Sequence, residues 1–219
     1  CSIEKFMLMS SLSTYGPGDE VNFTPIRLDD PQNPNTEYGK SKLLAEKYVK
    51  GQQAFPYVIL RPTGVYGPAD EDYLQEFKLA VGKTEQRLTF IYALDLARVA
   101  LDAMEKETLR NKEYIVADGD VHTDTEFATL IAKVEQRKNV HHFRVPLPLV
   151  YAMCTASEWF GKLFHKSMTL NTDKYQILKQ RNWICDTTPI RQDLDFKALY
   201  TLEKGLEEVV EWYRQHRWL

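Results

Sequence analysis

The stretch Asn35–Lys50, NTEYGKSKLLAEKYVK, decides the fold. From Glu37 to Lys50 its pattern is helical. Leu43, Leu44, Tyr48 and Val49 form an apolar stripe, and Lys40, Lys42, Glu46, Lys47 and Lys50 lie mostly off it. Gly51 is a natural stop. A short apolar run stands on either side. Phe6-Met7-Leu8-Met9 empties into Ser10-Ser11-Leu12-Ser13-Thr14-Tyr15-Gly16-Pro17-Gly18, and Tyr57-Val58-Ile59-Leu60 ends in Arg61-Pro62-Thr63-Gly64. Apolar runs bounded by turn residues read as buried strands of a parallel sheet. Strand, helix and strand at this spacing form a βαβ unit with a right-handed crossover, so the fold class is α/β.

Farther along, Leu88 to Ile91 reads as a short strand. Asp95 to Glu105 reads as a helix with Leu96, Val99, Ala100 and Ala103 on one face. Tyr114-Ile115-Val116 is another short strand. A helix is expected over Thr123 to Gln136, with Thr123 as N-cap and Glu126 closing a capping box. Beyond Val145 the chain is helical and more aromatic, and Leu202 to Arg214 closes it with an amphipathic helix (Leu206, Val209, Val210, Tyr213). A soft boundary near Pro68 separates a sheet-building part, residues 1–68, from a mostly helical part, residues 69–219. Segments around 88–105 return to the first part.

The 219 residues are 43% hydrophobic and 27% charged with a formal net charge of -3, and no long Lys/Arg run occurs. Nucleic acid and anionic membrane are therefore not the expected partners. Cys1, Cys154 and Cys185 form no CxxC pair or metal-spaced cluster, which fits a reducing, cytoplasmic setting. His141 and His142 are adjacent and would face opposite ways on a strand, so no metal site is expected.

Tyr38-Gly39-Lys40-Ser41-Lys42 is a Tyr-x-x-x-Lys at the mouth of the first helix. Residues four apart share a helix face. An ammonium one turn from a phenol favours the phenolate, so a group with an ordinary pKa of about 10 becomes usable as a general acid/base. Ser11 ends the preceding strand, at the edge where open parallel sheets bind ligands. Its hydroxyl can hold a substrate oxygen as charge develops there. Strand order thus places Ser11 and Tyr38 in one crevice.

These segments resemble the extended short-chain dehydrogenase/reductase family, the NAD-dependent epimerases and dehydratases. The matching segments are MLMSSLSTYGPG, PNTEYGKSKLLAEKYV, VILRPTGVYGP, LTFIYALDLARVAL and the tail from RNWICDTTPIRQDLDF. The resemblance implies the C-terminal part of a Rossmann-like sheet plus a smaller, mostly helical substrate lobe. It implies Tyr38 as acid/base, Lys42 on the nicotinamide ribose and Ser11 on the substrate oxygen. Ser10, Pro62, Thr63 and Gly64 would join Tyr38 and Lys42 in contacting NAD or NADP, with NAD favoured. Leu12, Ser13 and Tyr15 fall where the family touches substrate, and Arg181 could meet a phosphate or carboxylate there. Asp95 resembles an aspartate that caps its helix. The helix of Tyr38 commonly packs in a homodimer.

The same resemblance marks departures. No Gly-rich pyrophosphate loop opens a helix here, and the residue separating NAD from NADP is missing. Phe6 to Met9 corresponds to a middle strand, so about 100 residues are expected before Cys1. The chain as it stands is expected to bind NAD(P) weakly or not at all, and to be inactive alone. Asp70 to Phe77 is short for the family, and residues are expected to be missing there. The activity implied is epimerase, dehydratase or reductase on a nucleotide sugar or similar small molecule. Leu12-Ser13 stands where several dehydratases carry an Asp-Glu pair, which counts against that version. The apolar segment VPLPLVYAMCTASEWFGKL has the flavour of steroid and flavonol reductases. A non-catalytic dinucleotide sensor or scaffold is the rival class, although such relatives tend to lose the Tyr or Lys.

Overall fold

The computed structural model describes residues 3–70, 80–82, 84–136, 144–164 and 170–217. The expectations on Asp70 to Phe77 and on His141-His142 fall largely or wholly outside them.

Strands β1 (Phe6–Met9), β2 (Tyr57–Pro62) and β7 (Lys112–Val116) form a parallel sheet in the order β1-β2-β7, with Met9 beside Leu60 and Leu60 beside Tyr114. Helix α1 (Glu37–Gly51) makes the crossover from β1 to β2, as the sequence pattern predicts. Val58, Ile59 and Leu60 are fully buried, because both faces of the central strand are covered. Side chains alternate across it. Val58 and Leu60 pack with Leu96, Val99 and Ala103 of α2 (Ala93–Glu105) and with Ile190 of α6 (Thr188–Leu194). Arg61 takes the opposite face, toward α1.

The expected stripe on α1 is corrected. Leu44 and Tyr48 are 69% and 70% exposed, while Glu46 and Val49 are buried. An ion pair under the helix, described below, turns the Glu46 face inward. The sheet also draws on β7, beyond the 88–105 stretch expected to return to it.

A second layer begins where β3 (Gly64–Tyr66) pairs in parallel with β6 (Phe90–Tyr92). Its core holds Tyr66, Phe90 and Tyr92 against Phe127 and Ile131 of α3 (Asp124–Val134) and against Leu206, Val209, Val210 and Tyr213 of α7 (Leu202–Gln215). The Phe90 and Phe127 rings stack at 4.7 Å between centroids. The Thr123–Glu126 capping box is present in both directions. Asp95 is a correction. Its carboxylate accepts the backbone N–H groups of Leu199 and Tyr200 at 3.0 and 3.1 Å and pairs with Arg98, so it fastens the approach to α7 rather than capping its own helix.

Two further short pairings complete the frame. Strand β4 (Ala80–Val81) runs parallel to β9 (Arg144–Val145), and β5 (Arg87–Leu88) runs antiparallel to β8 (His122–Thr123). A lobe of α4 (Leu147–Leu163) and α5 (Thr172–Lys179) closes on Val150 and Cys154, packed by Leu147, Leu170, Tyr175 and Leu178.

Candidate active site

At the carboxyl end of β1 the chain turns through a short 3-10 segment, Leu12–Thr14. Ser11 caps that turn. Its backbone is extended and its Oγ accepts the Ser13 N–H at 3.2 Å. The same hydroxyl lies 3.1 Å from Ser13 Oγ. Helix α1 begins directly opposite. Thr36 is its N-cap, with Oγ1 accepting the Gly39 N–H at 2.9 Å. Asp173 of α5 accepts the N–H groups of Glu37 and Tyr38 at 2.7 and 3.3 Å, placing a carboxylate on the positive end of α1. The lobe is thereby tied to the residue that opens the motif.

Tyr38 is 47% exposed and lines a cleft of about 330 Å³ together with Ser11, Ser13, Thr63 and Lys174. The Lys42 ammonium stands 5.6 Å from the Tyr38 ring centroid and donates to the Met9 carbonyl at 3.0 Å. The i, i+4 spacing thus places both on one face, with Lys42 held from behind by the end of β1. Pro62, Thr63 and Gly64 form one wall. Thr63 Oγ1 is buried with no hydrogen-bond partner among the described residues. The remaining wall is mostly apolar, with Leu12, Val65, Leu88, Phe90, Leu178 and Trp183 beside the polar Gln86 and Thr89. Trp183 and Lys174 also line the cleft.

Gly39 sets how closely the two sides approach. A Cβ there would fall 2.5 Å from the Ser13 carbonyl oxygen and 2.9 Å from Pro34 Cβ. The start of α1 therefore lies against the serine turn only because that position carries no side chain.

Three expected contacts stand elsewhere. Ser10 is buried and donates through Oγ to Glu46 Oε1 at 2.5 Å. Tyr15 is buried, with its hydroxyl on the Leu28 carbonyl and on Arg61, and burial pushes its pKa up to about 12 despite the nearby guanidinium. Arg181 lines a different cavity, with Phe23 and Arg87.

The feature missed from the sequence lies under the site. Glu46 and Arg61, 0% and 1% exposed, form a two-bond pair at 2.8 and 2.7 Å. Gln32 donates to the other side of Glu46 at 2.9 Å, and Glu113 and Lys50 continue the network outward. Burial alone would raise the Glu46 pKa, but the hydrogen bonds from Arg61, Gln32 and Ser10 hold it below the ordinary value. A bidentate pair with its remaining lone pairs satisfied is the arrangement that offsets the desolvation of two charges. It links the residue before Ser11, the helix of Tyr38 and the residue before Pro62. The signal was present in the spacing: Tyr38, Lys42 and Glu46 recur every four residues on one helix face.

The family model for the NAD dependent epimerase/dehydratase family matches residues 1–117, more than half of the chain. The chain belongs to the NAD-dependent epimerase/dehydratase family. Within it, the UDP-glucose 4-epimerase of Vibrio cholerae is 23% identical over 97% of this chain and 64% of its own length. The 3-beta-hydroxysteroid dehydrogenase of Mycolicibacterium neoaurum is 23% identical over 96% of this chain and 62% of its own. The chain therefore spans under two-thirds of these relatives. A solved UDP-glucose 4-epimerase from Thermotoga maritima superposes with a TM-score of 0.73 over 98% of this chain and 65% of that one, at 21% identity. The epimerase/dehydratase-family sheet and lobe are thus the fold expected from the sequence.

Proposed function

We propose that this chain carries the catalytic half of an NAD(P)-dependent enzyme that interconverts a hydroxyl and a carbonyl on a small substrate, a nucleotide sugar or similar molecule. One observation carries the reading: the Tyr38 ring opens into the same cleft as Ser11, with the Lys42 ammonium 5.6 Å from its centroid. Tyr38 Oη takes the substrate hydroxyl proton or returns it. The Lys42 charge stabilises the oxygen as that proton leaves, and Ser11 Oγ holds the reacting oxygen.

The residues present fit a nicotinamide group. Thr63 Oγ1, buried and without a hydrogen-bond partner among the described residues, the Pro62–Gly64 wall and Tyr38 with Lys42 would hold it. When bound, it supplies the acceptor and donor of hydride. NAD is favoured by the family's name.

The apolar wall of Val65, Leu88, Phe90, Leu178 and Trp183 supports a second reading, a steroid- or flavonol-type dehydrogenase or reductase. The exposed pair Leu44 and Tyr48 on α1 supports a homodimer through that helix. No helix among the described residues is long and apolar enough to cross a membrane, and a cytoplasmic setting rests on the cysteine usage.

In the full-length protein, Tyr38→Phe should lower turnover by about a hundredfold or more while cofactor binding is retained. The assay is a panel of nucleotide sugars and of steroid or flavonol ketones, followed by the absorbance of reduced nicotinamide. Wild-type turnover in Tyr38→Phe would overturn the mechanism, and cofactor binding without turnover on the whole panel would favour a sensor.

A further inference from the structure

A second cavity, of about 450 Å³, shares no lining residue with the Tyr38 cleft among the described residues. Alternation along β5 accounts for the separation. Leu88 is buried toward the cleft, whereas Arg87 is exposed on the other side and lines the second cavity.

Three guanidinium groups reach this cavity from separate segments: Arg87 on β5, Arg144 on β9 and Arg181 after α5. They differ in how far they are already satisfied. Arg144 is spent on structure, pairing with Asp124 at 2.9 Å and bonding Thr125 Oγ1 and the Thr84 carbonyl. Arg181 lies over the Phe23 ring, 5.0 Å from its centroid, and Nη1 donates to the Glu20 carbonyl at 3.3 Å. Its Nε is buried and has no acceptor among the described residues. Arg87 has no side-chain partner among the described residues, although Glu85 shares the rim.

The two less committed arginines are held beside one another by the backbone. The Arg87 N–H donates to the Arg181 carbonyl at 2.7 Å, and the Trp183 N–H donates to the Arg87 carbonyl at 2.8 Å. Like charges on adjacent strand positions repel. An anion between them removes that cost, and paired planar forks match the oxygens of a phosphate group.

We propose that this cavity binds a small phosphate-bearing anion at a site separate from the Tyr38 cleft. Arg87 and Arg181 clamp the phosphate oxygens. Phe23 forms the apolar wall beneath Arg181, and Arg144 with Thr125 closes the far end. The site does not depend on the proposed activity, since none of its residues belongs to the Tyr38 constellation.

The probe is inorganic pyrophosphate, titrated by calorimetry at low and at high salt. Saturable binding to the wild-type chain that weakens with salt is expected. Arg87→Ala should weaken it about tenfold, and Arg87→Lys should recover only part of the loss, because the charge returns without the fork. Lys174→Ala, in the other cleft, should leave it unchanged. Absence of saturable heat, equal binding by Arg87→Ala, or loss of binding in Lys174→Ala would each overturn the proposal. Arg87 is exposed, and Arg87→Gln serves as a second variant should the alanine protein be poorly folded.

Discussion

The three-stranded sheet and the α4–α5 lobe meet at the Tyr38 cleft, yet they are held together by different means. The sheet is tied by parallel ladders between β1, β2 and β7, by fully buried Val58, Ile59 and Leu60, and by the Glu46–Arg61 pair beneath the serine turn. The lobe rests on a small cluster around Val150 and Cys154, and α4 leaves Leu149, Met153, Trp159 and Phe160 exposed. Ser11, Tyr38 and Lys42 all stand on the sheet side, whereas Lys174, Leu178 and Trp183 come from the lobe or its exit. The difference suits the proposed roles. The groups proposed to move a proton would need fixed geometry, and they sit on the more rigid elements. The wall proposed to select among substrates is built on the less constrained part, where replacement disturbs less of the core.

The contrast is broken most severely at its buried charges. Arg61→Met leaves the buried Glu46 carboxylate without its guanidinium partner, and should cost about 3–5 kcal/mol in chemical denaturation. A loss under about 1 kcal/mol would show that the network is not what fastens the sheet side. The double variant Glu46→Leu/Arg61→Met should lose less than Arg61→Met alone, because no orphaned charge remains.

A smaller effect is expected at the carboxyl end of β7. Asp118 is buried, with Oδ1 on the Asp120 N–H at 3.0 Å and Oδ2 without a hydrogen-bond partner among the described residues. Burial pushes its pKa up to about 7. The folded value lies above the unfolded one, so the folded chain holds the proton more tightly. The resulting stability is fully present below about pH 4 and is lost as pH rises through about 7. Asp118→Asn should flatten the fall in the urea midpoint between these limits, and parallel curves for the two proteins would refute the assignment. The smallest effect sharpens the contrast from the other side. Trp159→Ser, on the exposed face of α4, should change stability by no more than about 0.5 kcal/mol. A larger loss would mean that the lobe relies on that face.

The order of strands and helices was legible because apolar runs, turn residues and caps act locally. The Thr123–Glu126 capping box and the buried face of α7 stand where the pattern placed them. The pairing of Tyr38 with Lys42 was legible because a helix converts a spacing of four into a shared face. Glu46 was misread because carboxylates usually face water, and only the arginine arriving from β2 reverses that preference. Asp95 was misread for a related reason: its partners are backbone groups of Leu199 and Tyr200, more than a hundred positions away. Asp173 on the first turn of α1 and Gln86 bridging the carbonyls of Leu178 and Gln180 carry no local signature at all. Such contacts exist only once the lobe has closed on the sheet.

Gly39 has no chemistry of its own, yet it fixes how near the serine turn and the tyrosine helix can stand. The gap that it leaves against Ser13 and Pro34 is thinner than one methyl group. A lineage that acquires any side chain at this position must also reshape the proline-bearing loop before α1, since neither the sheet end nor the capped helix can retreat. Replacement at 39 and a change of length or sequence around Pro34 should therefore travel together, as a single inherited unit rather than as two independent substitutions.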